Sequence, residues 1–143
     1  MSALVHHRWR IKRLHHVLKS GCQIEKLQLE DASRIRRALA VYCVVAWRLL
    51  FISYVAREQP QAPCAAILTE DEWHALWCRL YRVKLPPPKR PDVRTAVRMI
   101  ARLGGFLGRA WASDGEPGVK VLWRGFRRLA DITEDWRLFR PGG

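Results

Sequence analysis

The sequence predicts an all-α fold, on three observations. Apolar residues recur at threes and fours in four separate stretches. Helix-start residues precede these stretches, and Gly-Gly or Pro-rich segments follow them. Only Cys22 to Glu30 hints at alternation, and it slips between Ile24 and Leu27, so that stretch reads as a short extended segment or a turn.

In chain order, residues 4–19 place Leu4, Ile11, Leu14, Val17 and Leu18 near one helical face with cations around the rest, and Ser20-Gly21 stops the helix. Asp31 or Ser33 can cap the next helix, which runs to about Arg57 and ends in Glu58-Gln59-Pro60-Gln61-Ala62-Pro63. Its stretch Ala38 to Ala56 is long enough to cross a bilayer. Arg48 near the middle would cost roughly 2.5–3.5 kcal/mol on insertion, and Arg34, Arg36 and Arg37 lead straight into the stretch. A buried central helix is the expectation, with no membrane contact.

Thr69 and Glu72 form a capping box ahead of Trp73, Leu76, Trp77, Leu80 and Tyr81, an aromatic helical face expected in the core. Pro86-Pro87-Pro88-Lys89-Arg90-Pro91 breaks the chain, and Pro91 suits the first turn of the following helix. There Val93, Val97, Ile100, Ala101 and Leu103 face inward, up to Gly104-Gly105. Gly115-Glu116-Pro117-Gly118 opens the last helix, whose apolar set is Val119, Leu122, Trp123, Phe126, Leu129, Ala130 and Thr133.

The 143 residues suit one domain, or a small domain with an arm. Lys+Arg number 26 against 13 Asp+Glu, a net charge of +13 that points to a polyanionic partner, most simply nucleic acid. No segment reads as a secretory signal. Cys22, Cys43, Cys64 and Cys78 make no C-x-x-C pair, so reduced thiols and a cytoplasmic setting are expected.

Catalytic chemistry finds little support. Metal-assisted phosphoryl transfer needs converging carboxylates, yet most acids fall at expected helix starts or hinges and none within residues 1–24. His6, His7, His15 and His16 contain no i, i+4 pair to aim two rings at one zinc. Cys43 sits in the apolar helix and is expected to be inert core.

Basic features are stronger. Residues 1–24 hold five cations and four histidines, with Arg8, Lys12 and Lys19 on one helical face, able to follow phosphates. Arg94, Arg98 and Arg102 form a second stripe, which is equally consistent with a solvated face.

His7 to Glu30 (HRWRIKRLHHVLKSGCQIEKLQLE), followed by ARLGGFLG at Ala101 to Gly108 and a Trp-containing terminal helix, resembles the C-terminal part of transposon-five-type transposases. These are the cut-and-paste DDE enzymes of insertion-sequence family four. The resemblance implies a helical C-terminal dimerisation domain over 31–143. It also implies a leading segment, 1–30, left from the last helix and turn of an RNase-H-like core.

That core carries two sheet aspartates and one helical glutamate that bind two Mg²⁺, the glutamate lying in a Tyr-x2-Arg-x3-Glu-x6-Lys motif. On this sequence the four positions are Val5, Arg8, Lys12 and Lys19. Lysine thus stands at the metal-ligand position, and the sheet aspartates would lie upstream of Met1.

The resemblance implies a catalytically inactive protein without cofactor. Arg8 and Lys19, with His16 and Lys26 by position, are expected to contact transposon-end DNA. The apolar face Leu122, Trp123, Phe126, Leu129 and Ala130 is expected to form a homodimer, or a heterodimer that inhibits full-length transposase; the other reading of that face is that it packs on the 92–103 helix. The alternatives are an inert truncated remnant and a small basic helical DNA-binding regulator.

Overall fold

In a computed structural model of the chain, the described residues are 11–21, 31–106 and 117–140. Regular structure among them is helical throughout, and a lone antiparallel bridge between Pro63 and Asp92 is the one β-type contact. The expected turn at Cys22 to Glu30 lies outside the described residues. The chain forms two compact units, Met1–Ser53 and Tyr54–Gly143. The sequence expectation divided it after residue 30 instead.

In the first unit, α1 covers residues 11–16 and runs into one π turn, Val17–Gly21. Val17 and Leu18 are buried, whereas Ile11, expected on the same apolar face, is exposed. α2 spans Ala32–Glu58. The Asp31 carboxylate ahead of it accepts from the Ser33 backbone N–H at 3.0 Å and the Ser33 hydroxyl at 2.8 Å. Those bonds, the backbone one first, hold the Asp31 carboxyl below its usual range.

α2 is not the buried central helix expected. Ala46, Leu49 and Ile52 line a buried face, while Val41, Val44, Trp47 and Phe51 stand exposed. Cys43 is half-buried rather than core. Among the described residues, α2 alone is long and apolar enough to cross a membrane, judged by length and composition.

The second unit builds α3 (Glu70–Tyr81), α4 (Val93–Leu103) and α5 (Val119–Phe139) around one core. The capping box forms as expected: Glu72 N–H donates to Thr69 Oγ1 at 3.4 Å, and Thr69 N–H to Glu72 Oε2 at 2.8 Å. α3 ends at Arg82, which adopts a left-handed conformation (φ 55°).

Pro91 does not open α4; Asp92 caps it, accepting from Thr95 N–H at 2.7 Å. The first two helical N–H groups also find partners, Val93 on the Ala62 carbonyl (2.8 Å) and Arg94 on that of Pro60 (3.0 Å). Cys64 N–H in turn donates to the Pro91 carbonyl at 2.9 Å. The two Pro-rich breaks are therefore fastened to each other. A proline lacks the donor but keeps its carbonyl, which serves the orphan N–H groups of a helix start.

The core joins Trp73, Leu76, Val93, Val97, Ile100 and Leu129, with Ala96, Met99 and Ala101 closing gaps. Tyr81, expected inside, is exposed. α4 and α5 meet backbone to backbone: a Cβ on Gly125 would fall far inside contact distance of the Ile100 carbonyl oxygen, and one on Gly104 would do the same to Val121. Around the rim Glu70 pairs with Arg90 (2.9 Å), and Asp71 with Arg137 (3.0 Å) and Arg140 (3.3 Å). The Arg128 guanidinium donates to the Leu103 carbonyl at 2.7 Å.

Candidate functional site

Two surfaces bear on function: the cations of the first unit and the apolar faces of the helices. Of the residues expected on DNA, Arg8 and Lys26 lie outside the described residues. Lys12, His16 and Lys19 are all exposed. On an ideal wheel Lys12 and His16 fall within about 40° of each other, on the side away from Leu14. Val17 and Leu18, in the π turn that follows, are buried.

The Ser20 hydroxyl lies 3.5 Å from His16 Nδ1, one turn below it. Residues 11–21 contain no carboxylate. Such a surface offers hydrogen-bond donors and positive charge, the combination that holds phosphate oxygens.

A protonated lysine at position 12 has no lone pair for a divalent cation. Among the described residues, no cluster of three or more His, Cys, Asp and Glu side chains is placed to hold a metal ion. His6, His7 and Cys22 lie outside the described residues.

The second basic stripe, Arg94, Arg98 and Arg102, lies on the exposed side of α4, with the Arg102 guanidinium 5.9 Å above the Tyr81 ring. His74 sits half-buried between Trp73, at 4.1 Å between ring centroids, and Trp136, at 6.1 Å. Burial pushes its pKa down, against the pull of Glu70 and Asp71. Burial likewise pushes the Cys64 and Cys78 thiols up, away from reactivity.

The apolar face expected to meet a partner is covered in part from within the chain. Leu122, Phe126 and Leu129 are buried within the second unit, Trp123 is half-buried, and Ala130 is exposed. α5 packs on the chain's own α4, the other reading of this face, and also on α3, while Leu138 and Phe139 at its end are exposed. Periodicity identifies which side of a helix is apolar but not what covers it.

What sequence reasoning missed is α2. Val44, Trp47, Phe51 and Tyr54 are 67%, 63%, 38% and 61% exposed, and the Trp47 and Phe51 rings stack at 5.4 Å with an 8° interplanar angle. The available signal was two apolar faces on one helix where a surface helix needs only one.

With this geometry in view, the comparison with known families is specific. Residues 44–141, well over half the chain, match the family model described as the transposase Tn5 dimerisation domain. The match includes the second half of α2 and the whole α3–α5 unit. Arg8, Lys12, His16, Lys19 and Lys26 precede it.

Proposed function

Because the chain belongs to the transposase Tn5 dimerisation-domain family, we propose that it is a non-catalytic transposase domain that self-associates and holds transposon-end DNA through its N-terminal cations. Pairing with full-length transposase would then give inactive mixed dimers and lower transposition. The observation that carries the DNA part is the exposure of Lys12, His16 and Lys19 on one basic segment.

The two Mg²⁺ ions of the wider transposase family do not fit this donor set. The resemblance puts Lys12 at the position of the metal-binding glutamate, and an ammonium repels a divalent cation. No hydrolytic or strand-transfer step is therefore assigned to the chain.

Binding of duplex end DNA, titrated between low and moderate salt, tests the proposal. Log affinity should fall with log salt at a slope near −0.9 per phosphate contacted, and Lys12→Glu with Lys19→Glu should flatten that slope by about two contacts. Salt-independent affinity refutes the phosphate contacts. Manganese-dependent cleavage of end DNA by the purified chain refutes the non-catalytic assignment.

A further inference from the structure

We infer that the end of the second unit where α3 and α4 finish and α5 starts is a separate phosphate-binding surface, one that lies along the backbone of duplex nucleic acid whatever its sequence. This goes beyond the function proposed above, because it needs neither the N-terminal cations nor a transposon end.

Three contacts gather those helix ends. The Arg102 guanidinium stands 5.9 Å above the Tyr81 ring, which sets the last turn of α4 beside the last turn of α3. Arg128 donates to the Leu103 carbonyl at 2.7 Å, and Gly104 meets the backbone of Val121, which brings in the first half of α5.

Charge is sorted between the two ends of the bundle. Glu70 and Asp71 lie at the opposite end, paired with Arg90, Arg137 and Arg140. Asp131, Glu134 and Asp135 belong to the second half of α5. Residues 73–91, 93–106 and 117–130 contain no acid. Exposed cations in these stretches include Arg79 and Arg82 at the end of α3, with Lys120, Arg124 and Arg128 on α5. Asp114 and Glu116, which precede α5 in sequence, lie outside the described residues.

α4 carries the row. Its exposed residues are all arginine, Arg94, Arg98 and Arg102. Successive members stand about 6 Å apart along the axis, about 12 Å in all.

Stability does not account for this placement. Like charges four apart on one helix repel. Cations at the ends of α3 and α4 complement those helix dipoles, but the same rule asks for acids at the start of α5. Lys120 stands in that first turn, and no acid does. Both unfavourable placements become favourable once a polyanion lies across them. A duplex presents a negative charge about every 1.7 Å of its axis, so a rigid row of this length meets several phosphates at once. Guanidinium forks take phosphate oxygens two at a time.

Titration of the full chain carrying Lys12→Glu and Lys19→Glu with a random-sequence duplex tests the inference. Binding should persist, and three phosphate contacts predict an affinity loss of about 40-fold or more between about 50 and 200 mM salt. Adding Arg94→Gln and Arg102→Gln should shrink that loss about twelvefold, with helical circular dichroism retained. Lys120→Gln with Arg124→Gln should act in the same direction. A salt dependence that neither pair of substitutions changes overturns the placement. Loss of all duplex binding on reversal of Lys12 and Lys19 overturns the second surface, while leaving the N-terminal contacts of the proposed function standing. Binding to vesicles of phosphatidylcholine and phosphatidylserine, with none to the duplex, overturns the nucleic-acid assignment in favour of lipid.

Discussion

Adding one methyl group at Gly125 isolates the contact that fixes the α4–α5 crossing. In an open helix interior, Gly→Ala stabilises by about 1 kcal/mol, because glycine loses more backbone freedom on folding. At Gly125 the new Cβ would meet the Ile100 carbonyl oxygen far inside contact distance, with the carbonyl carbon and the Ile100 Cγ2 each 2.9 Å away. Backbone cannot yield as a flexible side chain can, so the helices must separate.

Separation loosens Ile100 and Leu129, both essentially inaccessible to solvent, and leaves their neighbours underpacked. Overpacking of this kind costs about 3 kcal/mol, the upper end of its usual range. The net expectation for Gly125→Ala is a loss of about 2 kcal/mol, or roughly 10 °C in melting temperature for a unit of this size. Thermal and urea unfolding followed by circular dichroism measure it. A variant more stable than the parent by about 1 kcal/mol would show that propensity alone governs the site, and the close approach would have to be abandoned.

Two further outcomes follow from named groups. Asp92→Ala removes the acceptor for Thr95 N–H and should cost about 1 kcal/mol in urea unfolding, whereas Asp92→Asn should recover most of it. His74, held by burial below its ordinary value of 6.5, binds protons more readily in the unfolded chain. Its contribution to stability is therefore complete above that value and lost as pH falls through the folded pKa, and a pH series of melting temperatures should flatten in His74→Gln.

The helical plan was legible wherever local chemistry decides. The capping box at Thr69 and Glu72, the Gly104-Gly105 stop and the inward set Val93, Val97, Ile100 and Ala101 depend on residues close in sequence. Three features depend on what lies opposite, and for those the pattern is mute.

The apolar side of α5 reads the same whether α3 and α4 or a partner covers it, and here Leu122, Phe126 and Leu129 meet the chain's own helices. α2, apolar around much of its circumference, gives no preferred side. Gly125 in mid-helix reads as a small propensity defect until the facing backbone is seen. Asp92 displaced Pro91 at the start of α4 because the aspartate supplies the acceptor that a helix start lacks. For the candidate DNA surface, cationic character was legible and exposure of Lys12, His16 and Lys19 agrees with it.

The grip of Asp71 on Arg137 and Arg140 has a topological corollary. It sets the opening turn of α3 beside the closing turn of α5, so residues 66 and 69 positions apart in sequence are tied at one corner of the bundle. Fraying of either helix end removes a partner from the other, so the two ends should open together.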